Sequence, residues 1–536
     1  MKTLYKSIVT LAALILFMGS CEDYLEITPL DSLSSESVLT TEGGRDVLLN
    51  ALYVADDNLL WANRTGYVYM GDVGTDIMYF RLNNNFRRNV EEHNTDATSA
   101  IPGHMWDGIF RTVESTNSII ELIDESPLEE NLKEEGIAEA RFMRAWSYFN
   151  AVRLFGDVPI FTNAVTTVAE AQDSLAVDNS RRPVLDVFQE IIEPDLQYAM
   201  EFLPEESRLP STPTSWAAHA LLAKAYIQGA GQFGLNNDYW NRAVVLLREL
   251  ISDSPYSLEV ASYDEIFTLE NEVSGNQRIW VDKWTRVPSG SNHMVFFGPV
   301  ETNIAGKQIW PDGQSGNRRQ PGHPYIAFYN TYEGNDLRKD VAITDYTAFY
   351  TDDETGEVSG LSRATASTHA VNKYFYDEVA KASDGRDGHD KIFIRYADVY
   401  LMLAEALNEA NGGPTAEAFT AINTIRMRAG IPNLSVADNI DGHFTYGAGS
   451  QSVGSRTGFR NAVLRERAWE LCYEGHRRHD LNRYNLLDDV VLNKNSEDGW
   501  SEEQPFPVTN WVNGRELFPI PENVVILNNW DQNPGY

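Results

Sequence analysis

The 536-residue chain carries 78 Asp and Glu against 43 Lys and Arg, a formal charge of −35. Such a balance repels phosphate backbones and argues against nucleic acid as a partner. With 43% hydrophobic and 11% aromatic residues the composition is that of a soluble globular protein, and a chain this long needs no disulfide to bury a core.

In chain order the first element is a leader. Lys2 and Lys6 precede an apolar run, Ile8 to Met18, and small residues Gly19 and Ser20 stand before Cys21. That layout is an export signal, too short for the roughly 20 residues that cross a bilayer. Cleavage after Ser20 leaves Cys21 at the new amino terminus. The arrangement resembles the lipobox of bacterial lipoproteins, with Met18 where Leu is more usual, and it implies acylation at Cys21. Glu22 and Asp23 resemble the acidic export tag of many Bacteroidetes surface lipoproteins. With Cys21 lipidated, Cys472 has no partner.

Helical periodicity then recurs in pairs. Residues 44–60 pair with 104–123, and the stripe Ala138, Phe142, Ala145, Phe149, Val152, ending at Gly156, pairs with Leu185, Phe188, Ile192, Leu196, Met200. Pro194 predicts a kink in the latter. Thr214 and Ser215 can cap a helix through Tyr226, followed by one from Tyr239 to Ile251. The clearest pair spans 396–429. Tyr396, Val399, Tyr400, Leu403, Leu407 and Ala410 share a face, Gly412 and Gly413 break the helix, Pro414 suits the first position of the next, and Gly430 ends it. Its 34 residues equal a tetratricopeptide period.

Two stretches depart from this pattern. Residues 61–111 and 270–395 are rich in Gly, Pro and aromatics and read as long loops with short strands, whose length suggests binding. Without a linker or low-complexity tract, the chain reads as one compact body. The expected fold is mostly α: about four tetratricopeptide-like helix pairs with a loop-rich, short-strand portion packed on them.

Motifs for other chemistry do not survive inspection. GAGQFG at 229–234 matches the dinucleotide fingerprint but follows a helix, not a strand, and reads as a connection between helices. EGHRRHD at 474–480 lacks metal-ligand spacing, so no metal or other cofactor is expected. Arg465, Arg467, Arg477, Arg478 and Arg483 read as pairing with Glu466, Glu470, Glu474 and Asp480, with Glu474 and Arg478 four apart on one helix face. TDDETGE at 351–357 reads as a solvated hairpin, with weak calcium binding by an exported acidic loop as the alternative.

Four blocks carry a family resemblance: EARFMRAWSYFNAVRLFGDVPIF (139–161), RYADVYLMLAEAL (395–407), RERAWELCYEGHRRHDLNRY (465–484) and LFPIPENVVILNNWDQNPGY (517–536). They resemble successive signatures of the SusD/RagB family of surface lipoproteins that bind glycans. The resemblance implies a signal peptide at 1–20, a SusD-like helical region at 21–270 and a SusD/RagB region at 271–536. It also implies an outer-membrane, cell-surface location, a SusC-like TonB-dependent transporter as partner, and no enzymatic activity.

A sugar ring offers an apolar C–H face and an equator of hydroxyls, so a receptor needs aromatic platforms edged by polar groups. In the first loop region the candidates are Asp76, Arg81 and Asn83 for hydrogen bonding and Tyr79 for stacking. In the second they are Trp280, Trp284 and Trp310. Family members place ligand contacts in loops of these two regions. Each tryptophan has a competing role, filling the core under a long loop. Three functions stay open on the residues alone: glycan capture for a transporter, a surface glycoside hydrolase with two carboxylates, and a protein-binding scaffold.

Overall fold

A computed structural model describes residues 39–59, 66–80, 89–164, 179–259, 262–267, 277–282, 303–304, 307–308, 322–345, 369–373, 390–441, 444, 449–494 and 511–536. Helices dominate. The first are α1 (Glu42–Leu59), α2 (Gly66–Asp72), α3 (Ala100–Asp124) and α4 (Glu130–Phe155). A short α5 (Val184–Val187) continues through a π-turn (Phe188–Ile192) into α6 (Glu193–Phe202), followed by α7 (Ser215–Gln232) and α8 (Asp238–Asp253). After the loop-rich stretch come α9 (Tyr396–Asn411), α10 (Ala416–Arg428), α11 (Arg456–Leu471) and α12 (Arg477–Asn482).

Neighbours in this list pack on one another: α1 on α3, α3 on α4, α4 on α6, α6 on α7, α7 on α8, α8 on α9, and α9 on α10 and α11. The expected helix-pair scaffold is therefore present, and α9 continues it directly from α8 across residues 254–395. Burial explains the order. From Gly136 to Phe155 every residue of α4 except Arg141 is buried, so this helix is wrapped by its neighbours instead of showing one wet face.

Local chemistry sets the ends. Gly156 closes α4 at φ 73°, and Gly412 closes α9 in the left-handed region at φ 69°. The Thr214 hydroxyl accepts the Ala217 N–H at 3.1 Å and the Thr415 hydroxyl accepts that of Ala418 at 3.1 Å. Thr415 is thus the cap of α10, and Pro414 stands one residue outside the helix instead of at its first position. Ahead of Pro194 the helix widens into the π-turn, and the proline falls in the first turn of α6, where a ring lacking an N–H is accommodated. Helix α7 runs through Gly229 and Gly231, further than predicted. A Cβ on Gly231 would lie 3.1 Å from the Cβ of Arg483, so the glycine admits a close approach.

Strands are short and pair two by two, all antiparallel. Strand β1 (Met78–Phe80) pairs with β3 (Gly322–Pro324), β2 (Arg278–Asp282) with β6 (Lys391–Arg395), and β4 (Ile343–Asp345) with β5 (His369–Val371). Strand β6 runs straight into α9, so the β2–β6 ribbon is bolted to the scaffold. An aromatic cluster fills the junction. Trp280 meets Phe142, Trp146 and Phe393 with ring centroids 4.8, 4.9 and 4.6 Å apart, and burying side chains of this size stabilises the fold by about 1.5–3 kcal/mol each.

Candidate functional site

The β1–β3 ribbon brings the two predicted loop regions to one place. Its register pairs Met78 with Pro324, Tyr79 with His323 and Phe80 with Gly322. In an antiparallel pair, the end where one strand leaves is the end where the other arrives. Phe80, where the chain leaves β1, therefore lies opposite Gly322, where it enters β3. Directly opposed residues share a face: Tyr79 stacks on His323 at 5.3 Å and 21°, and its centroid is 4.9 Å from that of Tyr325.

The ribbon is held from below by buried polar groups. Arg477 donates through Nε and Nη2 to both carboxylate oxygens of Asp76, at 2.7 and 2.6 Å. Asp72 accepts the backbone N–H groups of Gly475 and Arg477 at 2.8 and 3.1 Å. Burial pushes the Asp72 carboxyl up to about 7, against the pull of those two donors. Glu91 accepts from the Gly74 N–H at 3.0 Å and from the Tyr325 hydroxyl at 3.1 Å, tying both strands to one carboxylate. The approach of α2 to the 472–476 turn is close. A Cβ on Gly71 would fall 2.1 Å from the Gly475 carbonyl oxygen, and Gly475 itself adopts φ 84°.

Behind this lies a buried ionic network centred on the RERAWELCYEGHRRHDLNRY block. Arg467 bridges Asp398 and Asp480 at 2.6 and 2.9 Å, Arg483 joins Glu405 and Asp480 at 2.7 and 2.8 Å, and Lys224 reaches Asp398 at 2.9 Å. Glu470 receives Arg395, Arg428 and Arg338; Glu466 receives Arg338 and Arg426 at 2.7 and 2.8 Å. Burial works to raise the Asp398 carboxyl but is outweighed by Lys224 and Arg467, which hold it well below the usual carboxylate range. Burial, reinforced by Lys224, pushes His476 down to about 3, and burial pushes His479 far below its ordinary value.

Two expectations about this block need correction. Glu474 does not pair with Arg478: it binds Lys373 at 2.6 Å and Arg395 at 2.9 Å, while Arg478 donates to the Arg515 carbonyl at 3.1 Å. The reason is a break in the helix. α11 ends at Leu471, and Tyr473 and Gly475 turn at positive φ before α12 starts, so the two residues never share a helix face. The expected pairing inside the block holds for Arg467 and Arg483, which both meet Asp480, but the other pairs reach outside it, to β6, α9, α10, Asp76, Arg338 and Lys373. Among the described residues no group of three or more His, Cys, Asp or Glu is arranged to hold a metal.

The candidate ligand-binding residues fall in three places. Asp76 and Tyr79 lie at the ribbon, but Asp76 is 1% exposed and engaged with Arg477, and Tyr79 is buried in its stack. Asp76 thus supports the ribbon instead of presenting an open carboxylate. Trp280 lies in the aromatic cluster, its indole N–H donating to the Ser211 carbonyl at 3.2 Å. Arg81, Asn83, Trp284, Trp310 and Cys21 lie outside the described residues, although Arg81 directly follows Phe80. Sequence reasoning missed Glu91, His323 and Arg477 as parts of the ribbon's support.

A scaffold of stacked helix pairs that carries short two-stranded ribbons defines a class of fold, mostly helical and tetratricopeptide-like. Known proteins narrow it. The model for the SusD family matches residues 276–536, and a model described as starch-binding, associating with the outer membrane, matches 23–227. The chain is 26% identical to SusD-like protein P25 of Formosa agariphila over 583 residues, covering 99% of each. A SusD homolog from Bacteroides thetaiotaomicron superposes with a TM-score of 0.74 at 24% identity, covering 94% of this chain and 98% of the other. A laminarin-binding SusD-like protein gives 0.72 at 22% identity, covering 92% and 99%. The chain belongs to the SusD/RagB family. Among the described residues no helix is long and apolar enough to cross a membrane.

Proposed function

We propose that this protein captures oligosaccharide or polysaccharide chains at the cell surface and delivers them to a SusC-like TonB-dependent outer-membrane transporter, without catalysis. The observation that carries the reading is the Met78–Phe80 ribbon with Gly322–Pro324, which pairs a strand from each of the two aromatic-rich regions of the sequence. Membership of a family with a laminarin-binding structural neighbour supports it. The buried carboxylates at the ribbon's base already have partners. Asp76 is matched to Arg477, and Glu91 to Gly74 and Tyr325, which favours a receptor over a hydrolase. The anchor is lipid on Cys21, and the location the outer membrane.

The test is affinity electrophoresis of the purified mature chain through gels containing laminarin, starch, xylan or other polysaccharides. Retardation by at least one, with no reducing sugar released on incubation, is the expected result. Released sugar that disappears in Asp or Glu variants would instead make the protein a hydrolase. No retardation by any polysaccharide, with the transporter still co-purifying, would make it a scaffold.

A further inference from the structure

Among the described residues the buried arginines meet carboxylates, as Arg144 meets Asp195 at 2.7 Å and Arg477 meets Asp76 at 2.6 Å, with two exceptions, Arg153 and Arg478. Arg153, 1% exposed, donates Nη2 to Asn150 Oδ1 at 2.5 Å and lies over the Phe149 ring at 4.2 Å, but its Nε has no partner. Arg478 donates Nη2 to the Arg515 and Glu516 carbonyls at 3.1 and 3.5 Å and lies over the Phe518 ring at 4.3 Å, leaving its Nε and Nη1 without one. A ring face and a neutral oxygen offset only part of the cost of burying a guanidinium.

Further unmatched groups gather beside Arg153, which stands at the end of α4 against Tyr67 of α2 and His479 of α12. The Tyr67 ring lies 5.9 Å from that of Trp146, and the Arg153 guanidinium 5.9 Å from the same indole. The Tyr67 hydroxyl, the Trp146 indole N–H and His479 Nδ1 are all buried without a partner among the described residues. Trp146 and Arg153 can only donate; Tyr67 can donate, and so can His479 with its hydrogen on Nδ1. Carboxylates do not fill the gap. Asp480, which acts on Arg153 from nearby, is already shared by Arg467 and Arg483. The surplus of positive charge is felt at His479, where Arg153 and Arg478 add to burial in keeping the imidazole neutral.

Donors gathered around an unmatched buried cation are satisfied by an anion. Water can meet such donors too, but it leaves the guanidinium charge uncompensated. Tyr67, Trp146, Arg153 and His479 are each at most 5% exposed, too deep to admit a phosphate or an organic acid. We propose that a chloride ion binds at the junction of α2, α4 and α12, held by Arg153 Nε, the Tyr67 hydroxyl, the Trp146 indole N–H and His479 Nδ1. The ion joins the end of α4 to α2, the helix that leads through Asp72 toward the ribbon. It is a structural ligand, independent of glycan capture.

The test is a crystal of the mature chain grown in about 0.15 M sodium bromide, physiological ionic strength, with diffraction recorded at the bromine edge. An anomalous peak within hydrogen-bonding reach of Arg153 Nε is expected, since bromide replaces chloride with little change of size and none of charge. In solution, chloride is raised at constant ionic strength with gluconate as the balancing anion. The melting temperature of the wild type is expected to climb by about 1 °C per tenfold in chloride, the shift that mass action gives for a chain of this length. Arg153→Met should abolish that slope. No anomalous peak at Arg153, or a slope equal in wild type and variant, overturns the site. If Arg153→Met does not fold, the bromide peak decides alone.

Discussion

Arg477 grips Asp76 through two nearly parallel N–H···O bonds, and the same arginine donates Nη1 to the Leu464 carbonyl at 2.8 Å. One guanidinium thereby fastens the approach to β1 to the middle of α11, with Asp76 and Leu464 388 residues apart in the chain. A pair this deep gives little net stability when intact, yet leaves a charge stranded when one partner is removed. Asp76→Ala is expected to lower the unfolding free energy by roughly 3–5 kcal/mol. Urea unfolding of the variant measures it, and a midpoint equal to that of the wild type would refute the supporting role.

Glycan affinity should depend on the loops rooted at the ribbon. Trp310→Ala is expected to weaken polysaccharide binding by about 1–3 kcal/mol, the typical loss when an aromatic platform is removed. Native affinity with a lowered melting temperature would instead assign Trp310 to the core.

Acid should destabilise the fold in a defined window. His476 is held down to about 3 in the folded state, below its unfolded value near 6.5, so between those values the unfolded chain binds the extra proton. Stability therefore falls as pH drops from about 6.5 toward 3, with a slope approaching 1.4 kcal/mol per pH unit for each such histidine. Asp72 works in the opposite sense. Its carboxyl, raised to about 7, makes stability fall as pH rises from about 4 to 7. His476→Gln should flatten the acid limb of a pH-stability profile, and an unchanged limb would refute the assignment.

Tight contact at the 472–476 turn predicts intolerance of a single methyl group. Gly475→Ala combines positive φ with a Cβ 2.4 Å from the Tyr67 ring and is expected to cost about 1–3 kcal/mol or more. Thermal unfolding compares it with Gly234→Ala, which shares positive φ but meets nothing within 4 Å. Equal losses at the two sites would show that the contact itself adds nothing.

Membrane attachment is expected to depend on one atom. Cys21→Ala should release a folded protein from the membrane fraction, and retention in detergent-free buffer would refute lipid anchoring.

The helix pairs were legible in the sequence because burial writes a 3.6-residue period into α3, α8 and α10, because long apolar stretches mark the almost fully buried α4, α7 and α9, and because Thr214, Gly156 and Gly412 mark ends by their own chemistry. The ribbon was not. Three-residue strands are too short to show alternation, and nothing near Tyr79 announces His323 as its partner. The ionic block was legible in composition but not in pairing. Local spacing suggested Glu474 with Arg478, whereas positive φ at Tyr473 and Gly475 sends them to distant partners. Asp76 showed the right chemistry for a ligand contact, and only the fold reveals that a buried arginine faces it.

Because α8 rests directly against α9, the helical frame runs on across the insertion of residues 254–395. That stretch is a detour spliced into a finished solenoid. Its strands β2 and β6 are still riveted to the frame through Trp280 and Arg395, so only the segments between such rivets can be exchanged without loosening the helical joint.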